Sequence, residues 1–272
     1  MVFWENLFQI LDVKMECPVP YGWFHLLWLA LTVIAAVLLC RYHKKDDPAR
    51  VRHVVLTVAI IVAILEVYKQ INFGFSYDNG ISFDYAWYAF PFQFCSTPMY
   101  VGLLAGFTKR GRLHTSACAY LATYAVFAGI CVMLYPTTVF IDTIGINIQT
   151  MFCHGSMIFV GVYLLYSGYV KLEHKTILRA IPVFVCCVAL AVIVNEIAYQ
   201  TGLLETDTFD MFFISPYCEP SLPVYSLVQK AVAFPWCLLI YVSAFTLAAY
   251  LILLIAMGIK KIAAKFTIKA TT

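Results

Sequence analysis

Apolar residues recur in seven long blocks, roughly 21–41, 53–72, 85–107, 114–135, 148–170, 177–199 and 231–258. Each is about the 20 residues that a helix needs to cross a hydrocarbon layer. None shows the strict apolar/polar alternation of a strand facing lipid on one side only. Backbone polar groups in hydrocarbon must be satisfied within the segment, so these blocks predict helices, and a membrane barrel is excluded.

Composition agrees with that pattern. The 272 residues are 62% apolar and only 12% charged, with a mean hydropathy of +0.84, far too oily for a water-soluble domain. The expected fold class is all-α: a polytopic membrane protein of seven transmembrane helices, forming a single membrane domain over 1–272. Residues 1–16 place Phe3, Trp4, Leu7, Phe8 and Leu11 on one helical face, which predicts an amphipathic helix lying in the interface. The 201–228 stretch is the one sizeable outer loop or cap.

The net charge of +3 matters less than its placement. Arg41, Lys44, Lys45, Arg50 and Arg52 follow the first block, Lys109, Arg110 and Arg112 the third, and Lys171, Lys175 and Arg179 the fifth. Lys260, Lys261, Lys265 and Lys269 close the chain, whereas the 201–228 loop carries Glu205, Asp207, Asp210 and Glu219. By the positive-inside rule the N-terminus lies outside and the C-terminus in the cytoplasm. No basic stripe points to nucleic acid. Ten cysteines lack any CxxC spacing. Most lie in apolar blocks as small hydrophobes, while Cys17 and Cys218, outside them, are a candidate disulfide pair.

Polar groups inside spans are expensive and normally face a cavity. His25, Glu66, Gln93, Cys95, His154, Asn195 and Glu196 come from five different spans. At 1.5 Å rise per residue each falls roughly 5–15 Å from the outer boundary. The cytoplasmic half has nothing comparable, so they predict a water-accessible pocket opening outward, not a path across the membrane. Cys95 stands in FPFQFCSTPMY, between Pro91 and Pro98. Either Pro91 opens a helix and Cys95 lies in its first turns, where the dipole favours a thiolate, or both prolines kink a longer helix. His154 precedes Gly155, and Gly161 and Gly168 follow it at heptad steps. That small-residue stripe predicts a neighbouring helix at close range.

A Glu in the second block, PFQFC opening the third, a fourth ending at Pro136 and FCHG in the fifth resemble the YwaF-type integral membrane proteins of bacteria. Related to these is a eukaryotic transmembrane acyltransferase that loads polyunsaturated chains onto ether phospholipids. The bacterial pattern reads P-L-H-L-C and, further on, H-G. Here these are Pro91-Phe92-Gln93-Phe94-Cys95 and His154-Gly155, with DMFFISPYCEPSLPV resembling the family's aromatic, proline-bearing outer segment. Gln93 is a departure, standing where the family often has His.

The resemblance implies that Cys95 is the acyl-accepting nucleophile and His154 its base, with phospholipid and lysophospholipid as substrates and no cofactor or metal. Its bacterial side implies the cytoplasmic membrane with the site facing outward. Glu66 or Glu196 is then a candidate to orient the imidazole, and Gln93, Asn195 or backbone N–H groups are candidates for the oxyanion, with His25 nearby. Two other function classes remain open: a metal-dependent membrane lipid hydrolase using Cys95, His154, Glu66 or Glu196 as ligands, and a non-catalytic lipid-binding or transport protein. Neither the donor and acceptor lipids nor the oligomeric state can be read from the chain.

Overall fold

The computed structural model describes residues 10–43, 47–76, 81–202, 208–219 and 222–271. Its helices are α1 (Trp23–Arg41), α2 (Pro48–Asn72), α3 (Thr97–Phe107), α4 (Arg112–Ala122), α5 (Tyr124–Leu134), α6 (Ile144–Tyr166), α7 (Lys175–Thr201), α8 (Pro223–Ala231) and α9 (Phe234–Thr271). A two-residue antiparallel pair, β1 (Phe75–Ser76) and β2 (Ser82–Phe83), is the only sheet among the described residues. The molecule is all-α and polytopic.

Six helical units are long and apolar enough to cross a bilayer: α1, α2, α4 with α5, α6, α7, and α9 through Phe266. The seventh expected span, 85–107, is different. Its apolar helix covers only Phe94–Phe107, because Pro91 and Pro98 interrupt the ladder and the chain before α3 forms short 3₁₀ turns at Trp87–Ala89 and Phe94–Ser96. The 11 residues of α3 reach little more than half the hydrocarbon thickness. The bundle therefore has an irregular, half-length element on the side where Cys95 lies.

Local signals explain several helix ends. Asp47 caps α2 by accepting the Arg50 N–H at 3.0 Å, with Pro48 in the first turn. Thr123 divides α4 from α5 with non-helical φ −129°, ψ −75°. Gly202, at φ +58°, closes α7 in the left-handed region that glycine adopts freely.

At one end of the bundle the α1–α2, α3–α4 and α6–α7 turns gather. His43 Nδ1 lies 3.1 Å from the Tyr163 hydroxyl, and the Arg110 guanidinium sits 5.0 Å from the Tyr169 ring centroid. At the opposite end, Lys14 makes an antiparallel bridge with Thr143, and the Met15 N–H donates to Asp142 O at 2.7 Å. The interfacial helix expected over 1–16 thus stops before Lys14, where this bridge takes the backbone; residues 1–9 lie outside the described residues.

The candidate disulfide does not form. Cys17 is exposed, whereas Cys218 is buried with its thiol 3.6 Å from the Phe209 carbonyl, and neither is oxidised.

The core is aromatic. Tyr124 stacks on Phe184 at 4.4 Å between centroids, and Phe184 stacks on Phe245 at 5.9 Å and on Tyr241 at 6.3 Å, joining α5, α7 and α9. Glycine sets the closest approach to α6. A Cβ on Gly161 would collide with Val126 Cγ2 and lie 2.9 Å from the Leu121 carbonyl. Backbone cannot yield there, so Gly161→Val should destabilise the bundle by several kcal/mol and remove the monodisperse peak in detergent gel filtration. Gly258→Val, where nothing lies within 4 Å, should leave that peak intact.

The stripe through His154 does not serve one neighbour, however. Gly155 abuts Thr32 of α1, Gly161 abuts α4 and α5, and Gly168 lies beyond the helix with φ +71°.

Candidate functional site

Pro98, not Pro91, opens the helix next to Cys95. Cys95 therefore belongs to the 3₁₀ turn Phe94–Ser96, one residue before the N-cap Ser96 of α3. No acidic residue occupies the first turn of α3, so the positive end of its dipole faces the thiol unopposed. The turn is held from below: the Thr97 hydroxyl donates to Phe94 O at 2.8 Å and pairs with the Tyr120 hydroxyl at 2.6 Å. Cys95 itself is half-buried.

Helix α6 packs beside this turn. The Cys153 thiol lies 3.7 Å from the Cys95 carbonyl, and His154 is the next residue on α6. The ring of His154 is 4% exposed. Its Nδ1 lies 2.7 Å from the Thr150 carbonyl, and because a carbonyl only accepts, Nδ1 carries the proton. Nε2 is then a bare lone pair, buried with no hydrogen-bond partner among the described residues. Burying such an acceptor unpaired costs about 1–3 kcal/mol.

Nε2 makes no hydrogen bond to Cys95 in this state. The contact between α6 and the Cys95 turn runs through the Cys153 thiol and the Cys95 carbonyl, not through either expected catalytic side chain.

The expected supporting residues separate into three groups. Glu66, 5% exposed, accepts from Gln149 of α6 at 3.3 Å and from Gln70 at 2.8 Å, and pairs with Lys69 at 2.8 Å. Gln149 Oε1 in turn accepts from the Thr150 hydroxyl at 3.2 Å. Glu66 thus reaches His154 only through Gln149 and Thr150 and does not orient the imidazole itself; the Thr150 carbonyl does. Glu196 accepts from Gln200 at 2.7 Å and from the Tyr217 hydroxyl at 2.6 Å. It is half-buried and tied to the outer loop, so it is no partner for the imidazole.

Gln93 and Asn195 do not stand free as oxyanion donors. The Gln93 amide donates to Asp210 O at 2.9 Å and accepts the Phe212 N–H at 3.1 Å. Asn195 donates to Met211 O at 3.0 Å and accepts the Met211 N–H at 2.8 Å. Both amides therefore clamp the outer loop. His25 is neither in an aromatic belt nor near Cys95 by any contact: its Nδ1 accepts the Tyr21 N–H and its Nε2 donates to Met133 O, both at 2.8 Å, which pins α1 to the end of α5.

The loop so clamped is a plug rather than a surface cap. Phe209, Met211, Phe212 and Ile214 are at most 2% exposed, and the Phe212 ring packs on Phe92 and Phe94, either side of Gln93, at 5.9 and 5.6 Å. Phe212 and Phe213 take left-handed φ of 62° and 58°, a conformation that costs a non-glycine residue roughly 1–2 kcal/mol.

Burial pushes the Asp210 carboxyl up to about 6 from its usual 3.8, against the Ser215 and Ile214 N–H groups that favour the carboxylate. A raised carboxyl pKa means that the folded plug binds the proton more tightly than the unfolded chain. The stabilisation it brings is complete below about pH 3.8 and is lost as pH rises through about 6, amounting to about 3 kcal/mol at most. Protease resistance of the plug should therefore fall between pH 4 and 7, and Asp210→Asn should flatten that dependence.

Sequence reading missed Cys153, Gln149 and Thr150. Their signal was present: in QTMFCHG, Thr150 stands four residues before His154 and Gln149 four before Cys153, one helical turn in each case.

A family model described as the TMEM164 family matches residues 20–255. The chain belongs to the TMEM164 family. Every site residue from His25 to Glu196, and the plug, falls within the matched range. The TMEM164 family is the eukaryotic acyltransferase side of the sequence resemblance, and membership is consistent with a membrane acyltransferase. The YwaF-type side, and with it a bacterial membrane, is carried by the PFQFC and HG motifs alone. No curated protein and no solved structure matches the chain.

Proposed function

We propose that this protein moves a fatty acyl chain from a phospholipid to a lysolipid through a thioester on Cys95, at the membrane face where the plug lies. The observation that carries the reading is the buried, unpartnered Nε2 of His154, one residue along α6 from the contact with the Cys95 turn. Nε2 accepts the Cys95 proton once substrate entry brings the two groups within reach, since no hydrogen bond joins them here. The thiolate adds to the ester carbonyl, the carbon–oxygen bond breaks, and the leaving lysolipid alkoxide takes the proton back from His154. The hydroxyl of an acceptor lipid repeats the sequence in reverse and restores the thiol.

Negative charge developing at the reaction centre meets the positive end of α3. Side chains do not supply the oxyanion donor, because Gln93 and Asn195 hold the plug; backbone N–H groups at the start of α3 are the donors in this reading. The loop charges support a reading with the plug and Cys95 on the outer face. A metal-dependent hydrolase would require a ligand set, and no group of three His, Cys, Asp or Glu side chains suited to a metal occurs among the described residues.

The test is intact-protein mass spectrometry after incubation with phospholipid. One acyl adduct is expected, mapping to Cys95 and not to the neighbouring Cys153, and absent from Cys95→Ala. An adduct that survives in Cys95→Ala removes Cys95 from the role. Phospholipid bound intact with no adduct and no label exchange makes binding or transport the function.

A further inference from the structure

We infer that the end of the bundle opposite the plug carries a phosphate-binding cavity between the α3–α4 and α6–α7 turns, taking a phosphomonoester or phosphodiester group. This stands independently of the reaction at Cys95. A cavity of about 360 Å³ lies there, lined by Arg110, Lys171, Arg179, Tyr169, Thr176 and His114 among others, with no acidic side chain in its wall. At about 30 Å³ per water it has room for on the order of ten waters, enough for a phosphate with a glycerol-sized substituent.

Three cations, Arg110 and Lys171 from the two turns and Arg179 from α7, therefore line one small space. Glu173 takes one guanidinium N–H of Arg179 at 2.9 Å, but neither Arg110 nor Lys171 has an ion-pair partner among the described residues. Arg110 is instead laid over the Tyr169 ring, which fixes the guanidinium at the rim. The Tyr169 hydroxyl is held by His114 Nε2 at 2.7 Å, with His114 buried in the same wall.

The helices that begin here reinforce the field. α4 and α7 both start at the cavity, with Thr115 and Thr176 of their first turns in its wall. Neither helix has a side-chain cap hydrogen bond or an acidic residue in its first turn. A helix start is partly positive and prefers anions, yet these two are flanked by Arg110, Arg112, Lys171 and Lys175. Basic loops alone would satisfy the positive-inside rule. That rule does not call for cations to converge on a cavity between two uncapped helix starts, where like charges repel until an anion enters.

Asp47, in the adjoining cleft that shares Arg110 and Tyr169, does not supply that anion, because its carboxylate is engaged as the cap of α2. A lipid headgroup and a free phosphate offer the same chemistry.

The full chain in uncharged maltoside micelles distinguishes them. In one arm inorganic phosphate is titrated against chloride at matched ionic strength and the melting temperature is read. In the other, phosphatidate or phosphatidylglycerol is added and retained lipid is counted by native mass spectrometry. A saturable response in either arm is expected, identifying the source, with Arg110→Gln and Lys171→Gln each weakening it about tenfold. Lys171 is exposed, so its variant remains informative should Arg110→Gln fail to fold. Lys260→Gln, on the exposed end of α9, should change nothing. The inference is overturned if neither arm responds, if the cavity variants respond like the wild type, or if Lys260→Gln weakens binding as much as they do.

Discussion

If the proposed acyl transfer holds, replacing His154 by alanine should lower it by about 10²–10⁴-fold, the usual contribution of a positioned general base, and replacing Cys95 by alanine should remove it altogether. The two losses differ in kind. Without Cys95 there is no acceptor for the acyl group, so neither adduct nor product forms. Without His154 the thiol remains, and raising the pH should restore part of the rate as solvent base replaces the imidazole. The His154 effect follows from the ring being protonated on Nδ1 by its contact with Thr150 O, which leaves Nε2 as the basic atom. The measurement is transfer of labelled acyl chain between phospholipid and lysolipid as a function of pH. If His154→Ala transfers at the wild-type rate across the range, the unpartnered nitrogen has no part in the chemistry.

Asn195→Ala should destabilise the plug by about 2–5 kcal/mol. It removes two hydrogen bonds and strands both the N–H and the C=O of Met211, a residue with 0% exposure. Each unpaired buried group costs about 1–3 kcal/mol. The left-handed turn at Phe212 and Phe213 then loses one of its clamps, while Gln93 and the Tyr241 hydroxyl, which donates to Phe212 O at 3.0 Å, remain.

Cleavage within 208–219 by limited proteolysis should accelerate sharply, with α6 and α7 still protected. Gln93→Ala should act on the same turn, and the double variant should fall short of the sum of the two because both amides hold one unit. Wild-type protease resistance in Asn195→Ala would show that the plug is held by its aromatic packing instead.

The pattern along the chain was sufficient for the class of fold. Blocks of apolar residues near the length of a bilayer crossing admit only helices, because the solvent there offers no partner for the backbone. It also drew attention to Cys95 and His154, a thiol between prolines and an imidazole inside an apolar block. The half-length third element was partly legible, as Pro91 and Pro98 announce irregular backbone. Which proline starts the helix depends on the Thr97–Tyr120 contact and on the plug, and these are tertiary.

What residue type could not tell was the use of each polar group. Gln93, Asn195, Glu66 and Glu196 read alike as polar side chains within apolar blocks, yet two clamp a strained loop, one joins α2 to α6 and one sits at the surface. A side chain's hydrogen-bond capacity is local, but its partners come from more than 100 residues away for Gln93 and 83 away for Glu66. The sequence by itself determined that the chain lies in a membrane as helices, because hydrocarbon acts on every residue alike. The tertiary structure decided which polar groups remain unpaired for chemistry, because pairing depends on which distant segments the packed bundle brings together.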